Sequence, residues 1–218
     1  MATLQYSVPK AILFDLDGTL INTMEGFADL AAELIEKNYG MPFPEGRRNY
    51  ITTSGIPFKH QLEVIFPGDS RNFGVQKEFE ARKLDVFFNT PPSDDTISAL
   101  RQLKMLGIKT VVSSNNYYDF VLKYFSKYTE FGFDMILAYR DGFAKGRAHI
   151  HHVINEFRIT EKEMIFVGDS LHDGDVAREL GIPFIGRIAI RTREEFLDRF
   201  PGIYCVDRLT QIPELFSR

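Results

Sequence analysis

The spacing of apolar positions changes along the chain, and each spacing predicts a different element. Residues 11–14 (Ala11, Ile12, Leu13, Phe14) are an unbroken apolar run with the length and composition of a buried strand. Residues 19–24 then read as a tight turn. Beyond it Phe27, Leu30, Ala31, Leu34 and Ile35 recur at three and four, which predicts a helix over 25–37 stopped by Gly40 and Pro42. Residues 44–54 are polar and read as a loop. Gly55-Ile56-Pro57 is a loop or helix-start signal before a helical stretch reaching Phe66, and Pro67-Gly68-Asp69 is a turn. Residues 75–88 are helical again, with Phe79, Leu84, Phe87 and Phe88 inward. No strand is expected between Ile21 and Asn89.

After Pro91-Pro92 the pattern alternates. Helices are predicted over 94–106, 117–128, 147–157, 176–180 and 194–200, and apolar strands over 108–113, 133–138, 164–167, 183–186 and 203–206. Strand–helix–strand repetition with apolar strands means a parallel sheet covered on both faces. The expected fold class is α/β, a doubly wound, Rossmann-like parallel sheet core with an inserted all-helical domain. The core would span 1–21 and 89–218, and the helical insertion 22–88.

Composition narrows the function classes. A net charge of -4 over 218 residues gives no reason to expect a nucleic-acid-binding surface. Asp15 and Asp17 interrupt the N-terminal apolar run, unlike a signal peptide, and no segment approaches the ~18 apolar residues of a membrane span. Cys205 is the one cysteine and lies in an apolar segment, so a buried inert thiol is expected. A soluble protein of a reducing, cytoplasmic compartment is the expectation.

Ligands of a parallel sheet bind beyond the carboxyl ends of its strands, so the residues just after each strand carry the chemistry. Strand one ends in Asp15 and Asp17, followed by Gly18 and Thr19. Strand two ends in Ser114 and Asn115. Lys145 follows strand three, Asp169 follows strand four, and Asp173 comes one helical turn later. Two carboxylates at the end of a buried strand are costly unless a cation sits between them. Oxygen ligands with several waters suit Mg²⁺. A lysine and backbone N–H groups neutralise phosphoryl oxygens, and a carboxylate nucleophile can form an aspartyl-phosphate. The set fits phosphoryl transfer.

The segments Asp15-Leu16-Asp17-Gly18-Thr19 and Val167-Gly168-Asp169-Ser170-Leu171-His172-Asp173, in this order, resemble the haloacid dehalogenase superfamily of phosphatases. The resemblance is to the branch with a helical cap after the first strand, and it covers essentially the whole chain. It implies Asp15 as nucleophile and Asp17 as the residue that protonates the leaving oxygen and then takes a proton from water. It implies Mg²⁺ held by the Asp15 carboxylate, the Asp17 backbone carbonyl and Asp169, with Asp173 direct or through water. Ser114 and Asn115 would hold the phosphoryl group, Lys145 would offset its charge and that of Asp15, and Thr19 and Gly55 would complete the substrate contacts. The implied partner is a phosphorylated small molecule, with no nucleic acid and no membrane, for a monomer or weak dimer. The implied reaction is Mg²⁺-dependent hydrolysis of a phosphomonoester; a phosphomutase or phosphotransferase on the same core, or a non-catalytic phospho-ligand-binding protein, are the alternatives.

Other readings of these residues carry less. A calcium loop beginning at Asp15 would put Gly26 where the bidentate glutamate belongs. His149, His151 and His152 resemble a metal cluster, but no cysteine or second histidine group accompanies them, and a packed or solvated face explains them. Asp175 should point elsewhere. Ser113 competes with Ser114, and Arg147 with Lys145. Arg47, Arg48, Thr53 and Lys59 are further substrate-contact candidates around Gly55. Dehalogenation would leave the second aspartate, Asp17, without a leaving group to protonate.

Overall fold

The structure, a computed structural model, describes residues 7–54 and 56–217. In chain order β1 (Ala11–Phe14) precedes α1 (Thr23–Tyr39), α2 (Phe43–Thr52), α3 (Phe58–Ile65), α4 (Asn72–Asn89) and α5 (Asp94–Met105). There follow β2 (Lys109–Tyr117), α6 (Tyr118–Lys127), β3 (Met135–Tyr139), α7 (Arg147–Phe157), β4 (Met164–Gly168) and α8 (Leu171–Glu179). The chain closes with β5 (Phe184–Arg187), α9 (Arg193–Arg199), β6 (Tyr204–Val206) and α10 (Gln211–Glu214). Two compact units result: the described residues up to Ile21 together with those from Pro91 onward, and Asn22–Thr90.

The first unit is built on a six-stranded sheet in the order β3-β2-β1-β4-β5-β6, with every pairing parallel. β1 sits at its centre, Phe14 level with Val112 of β2 and with Val167 of β4. All four β1 residues are buried, as a parallel strand covered on both faces requires. Along one face Leu13, Val111, Leu137, Phe166 and Phe184 pack against Ile150 and Val153 of α7, Ala177 of α8 and Phe196 of α9. The order runs outward from β1 in both directions, so the crevice beyond the ends of β1 and β4 is the switch point where such sheets bind ligands.

The second unit is helical throughout its described residues apart from turns. Its core is aromatic: Phe79 of α4 lies 4.1 Å from Phe58, 5.9 Å from Tyr50 and 6.4 Å from Phe27, ring centroid to ring centroid. The expected loop at 44–54 is corrected here, because Phe43–Thr52 forms α2. Its apolar stripe is too thin to read as a period, since only Gly46 and Tyr50 are buried. Gly46 looks like a breaker in sequence, yet it serves as a close-packing point. A Cβ there would lie 3.0 Å from Ile35 Cγ2 and 3.4 Å from the Ala32 Cα. The Pro42 cap and Pro44 in the first turn suit a helix start, where the missing N–H has no intrahelical partner to lose.

Other boundaries moved for local reasons. α8 begins at Leu171 and not at Val176, because Ser170 caps it by accepting from the Asp173 N–H at 3.1 Å. β2 runs on to Tyr117 through a register irregularity between Ser113 and Tyr117. Cys205 is buried, and burial raises its thiol pKa, so it is an inert core residue. Phe79→Ala removes the ring at the centre of the helical unit and is expected to destabilise the protein by about 3–5 kcal/mol. Urea denaturation followed by circular dichroism checks this, and a loss below about 1 kcal/mol would show that this cluster is not the unit's core.

Candidate active site

The end of β1 is fixed before its side chains are considered. The Asp15 N–H donates to Val167 O at 2.9 Å and extends the ladder with β4 by one residue. The chain then turns: Leu20 and Ile21 N–H groups both reach Leu16 O, and Gly18 N–H reaches Ile21 O at 2.8 Å. Gly18 has φ 80, a conformation that favours a residue without Cβ. Across the switch point, Asp169 follows the last residue of β4, and α8 begins two residues later. A Cβ on Gly168 would lie 2.6 Å from Asp173 Cβ, so a bare backbone there lets Asp173 fold back over the strand end. Ser170 completes the arrangement by donating its hydroxyl to Asp173 Oδ2 at 2.7 Å.

Lys145 joins these two strand ends. Its Nζ is 2.7 Å from Asp15 Oδ1 and 2.8 Å from Asp173 Oδ1. Its backbone N–H donates to Asn115 Oδ1 at 3.0 Å, which ties the loop after β3 to the end of β2. Asp15, Asp169 and Asp173 are all buried, and one carboxylate oxygen from each lies within 4.8 Å of the others. Three buried carboxylates thus face one ammonium. Burial pushes the Asp15 carboxyl up to about 7, against the pull of Lys145 and with repulsion from Asp173 and Asp17. Burial likewise holds Asp169 well above the usual carboxylate range, with Asp15 and Asp173 adding to it. Burial acts to lower the Lys145 pKa, but the Asp15 and Asp173 charges outweigh it and the group is held protonated.

The donor set fits a hard divalent cation. It consists of carboxylate oxygens alone, without histidine or cysteine, the preference of Mg²⁺. Asp173 Oδ1 is enclosed, with Lys145 as a charged neighbour but no well-directed hydrogen bond, so a lone pair is left for an ion. A cation here would offset the excess negative charge that adds to burial in raising Asp15 and Asp169.

The remaining sequence candidates divide. Ser113 and Ser114 are both buried, but Ser113 Oγ shares a hydrogen bond of 2.9 Å with His149 Nδ1, while Ser114 Oγ accepts the Asn116 N–H at 3.0 Å. Asn115 is exposed and uses its side chain on Lys145. The Thr19 hydroxyl is enclosed and without a hydrogen bond. Gly55 lies outside the described residues. Asp175 is turned to Arg178 and Arg199, and Arg147 pairs with Glu179, so neither joins the cluster. In the helical unit Arg47 is held by Asp29 and Glu25, Thr53 bonds Gln61 at 2.9 Å, and Arg48 and Lys59 are exposed.

His149 packs on the Phe143 ring at 4.6 Å and is wholly buried. Burial, aided by the Lys145 charge, lowers its pKa to about 4, so it is neutral at pH 7. His152 flanks the same ring, and His151 is exposed. Asn116 is the residue that sequence reasoning passed over: its Nδ2 donates to Asp17 Oδ2 at 2.6 Å. No spacing rule pointed to it, because it falls between a strand expected to end at 113 and a helix expected to start at 117.

A model of the haloacid dehalogenase-like hydrolase family matches residues 12–187. Over 188 residues, covering 80% of this chain and 81% of the relative, the sequence is 25% identical to the phosphoglycolate phosphatase of Thiobacillus denitrificans. A haloacid dehalogenase-like family hydrolase from Streptococcus pneumoniae superposes with a TM-score of 0.77 at 19% identity, over 96% of this chain and 99% of that one. A predicted phosphatase from Clostridium acetobutylicum superposes with a TM-score of 0.75 at 22% identity, again over 96% and 99%. At these identities the superpositions speak for the fold.

The excess negative charge makes a pH prediction for metal-free protein. A carboxyl whose folded pKa is raised contributes stability that is full below its unfolded value, 3.8 for Asp15, and is lost as pH rises through about 7. In EDTA the urea midpoint should therefore fall between pH 5 and pH 8. Asp169→Asn removes one of the repelling charges and should raise metal-free stability at pH 8 by about 1–3 kcal/mol. Mg²⁺ should stabilise wild type and leave the variant nearly unchanged. A midpoint that rises over this pH range, or a destabilised variant in EDTA, would contradict the charge account.

Proposed function

The chain belongs to the haloacid dehalogenase-like hydrolase family, and on that premise we propose that it hydrolyses phosphomonoesters of small metabolites through an aspartyl-phosphate on Asp15. The observation that carries the reading is the meeting of Asp15, Asp169, Asp173 and Lys145 at the switch point of a parallel sheet. Two anionic groups, a carboxylate nucleophile and a phosphate, must approach each other there, and the residues present are those that make such an approach possible.

In the proposed reaction an Asp15 carboxylate oxygen bonds to phosphorus while the bond from phosphorus to the ester oxygen breaks. Asp17 gives its proton to the departing oxygen. Water then bonds to phosphorus, its proton passes to the Asp17 carboxylate, and the Asp15–phosphorus bond breaks to release phosphate. Lys145 pulls against the burial that raises Asp15, a bound cation would add to that pull in holding the carboxylate ionised, and the ammonium offsets charge on the phosphoryl oxygens. Ser114 holds one of those oxygens through its hydroxyl, and Asn115 fixes the Lys145 loop. Mg²⁺, held by the carboxylates of Asp15, Asp169 and Asp173 with the Asp17 backbone carbonyl, would supply electrostatic stabilisation of the transferring group.

The two catalytic aspartates need different environments, one ionised and one able to hold a proton. Asp15 is buried against an ammonium, whereas Asp17 is half-buried and its carboxylate bonds a neutral amide. In the same proposal the helical insertion serves as the family's cap domain. The relative named phosphoglycolate phosphatase makes a short phosphorylated carboxylic acid the first substrate to try. Among the described residues no helix is long and apolar enough to cross a membrane, which agrees with a substrate taken from solution.

Purified protein should hydrolyse p-nitrophenyl phosphate with Mg²⁺ and lose that activity in EDTA. Asp15→Asn should lower kcat by at least about a thousandfold with the circular dichroism spectrum unchanged. Folded wild-type protein inactive across a range of divalent metals and pH would overturn the proposal. A panel of phosphorylated metabolites that includes phosphoglycolate then ranks substrates by kcat/KM.

A further inference from the structure

We infer that Asn116 is a positioning residue for Asp17, holding one carboxyl oxygen so that the other carries the proton in both halves of the reaction. The inference rests on the phosphomonoesterase reading and adds to it a residue without a nucleophilic, acidic or basic group. The Asn116 amide Nδ2 donates to Asp17 Oδ2 at 2.6 Å. The Asp17 backbone is fixed by the turn after β1 and by its bridge with Ile21. The turn sets the backbone of Asp17 but not its side-chain torsions, so the carboxyl takes its orientation from side-chain contacts, of which the Asn116 amide is one.

Asn116 is itself placed by an irregularity of the sheet. β2 pairs with β3 through Ser113 and again at Tyr117, and the register shifts between them. Within that stretch the Asn116 N–H folds back onto Ser114 Oγ at 3.0 Å. A regular strand would send residues 114 and 116 to one face and 115 to the other. The shift lets Asn115 reach the Lys145 backbone while Asn116 reaches Asp17. Adjacent asparagines thus serve the two sides of the site, one on the lysine loop and one on the second aspartate. Burial raises the phenol pKa of the fully buried Tyr124 of α6, with Tyr128 and the Asp17 charge adding to it.

The chemistry follows from what an amide can do. Its N–H donates equally to a carboxylate oxygen and to the carbonyl oxygen of a protonated acid, so the contact survives both protonation states of Asp17. With Oδ2 accepting from Asn116, Oδ1 is the oxygen proposed to carry the proton. In the first half Oδ1 gives that proton to the ester oxygen as its bond to phosphorus breaks and the Asp15–phosphorus bond forms. In the second half Oδ1 takes a proton from water as the water oxygen bonds to phosphorus and Asp15 is released. Asn116 exchanges no proton and touches no phosphoryl oxygen.

Leaving-group dependence separates this role from phosphate binding. The value of kcat/KM reports steps up to formation of the phosphorylated Asp15, whereas kcat includes its hydrolysis. For an alkyl phosphate, whose leaving oxygen needs a proton, Asn116→Ala should lower kcat/KM about 30-fold or more. For p-nitrophenyl phosphate, whose leaving group departs as a stable anion, kcat/KM should change less than about threefold. With that substrate kcat should fall instead, and a burst of p-nitrophenolate should appear as the phosphorylated enzyme accumulates. Asn116→Leu, which keeps the branched shape and removes the donor without adding a charge, should repeat the pattern. In an Asp17→Asn background Asn116→Ala should add little, because the two residues act as a unit. Equal loss of kcat/KM on both substrates without a burst would overturn the role of Asn116 and leave the phosphatase reading standing. Wild-type protein inactive on both substrates with Mg²⁺ would overturn both.

Discussion

Three buried carboxylates share one ammonium at the switch point of the parallel sheet, and much of the local structure exists to hold them together. Like charges taken out of water repel strongly, so such a cluster persists only when the backbone leaves its side chains no easy retreat. Asp15 is held by the ladder to β4, Asp169 directly follows that strand, and Asp173 is capped and oriented by Ser170. Gly168 belongs to the same constraint, since any side chain there would displace Asp173. Burial raises the carboxyls of Asp15 and Asp169, and the crowding adds to it. A cation held by these three carboxylates would relieve that crowding, so the capacity to hold one belongs to the fold and not to any single residue.

The sheet supplies the convergence. Residues from β1, β2, the loop after β3 and β4 come from stretches separated by up to about 150 positions in sequence, yet parallel pairing aligns their carboxyl ends. Phe14, Val112 and Val167 are level, so the residues after them emerge side by side. Because helices cover both faces of the sheet, the rim is where polar groups at the centre of the fold can meet solvent. Lys145 and Asn115 show how closely the loops are linked there: one side chain spans to the first strand while the other fixes the backbone from which it departs.

The helical unit follows a different logic. Its stability comes from an aromatic cluster of Phe27, Tyr50, Phe58 and Phe79 and from close helix packing at Gly46. Its charged candidates are engaged with their own neighbours, Arg47 most clearly, bonded to Asp29 and Glu25. A surface arginine near an interesting loop is therefore a poor guide to substrate contact, because helix–helix ion pairs use the same residue types.

The sequence by itself determined the fold class, the order of the strands and of most helices between them, and the carboxylates that follow β1 and β4, because strand and helix periods are local properties of the chain. It also separated Asp175 from Asp173, since two helical positions point to different faces. It could not reveal α2, whose buried face is one glycine and one tyrosine, nor the start of α8, which depends on a serine cap and not on an apolar period. The pairing of Asn116 with Asp17 was decided by tertiary structure alone. It arises from a register shift between β2 and β3, and such a shift depends on which residues of two distant strands are opposed, something no single stretch of sequence encodes. The same holds for the opening pair of carboxylates. Their presence at a strand end was legible, but the division between Asp15 against an ammonium and Asp17 against an amide came from long-range contacts that only folding brings within hydrogen-bond distance.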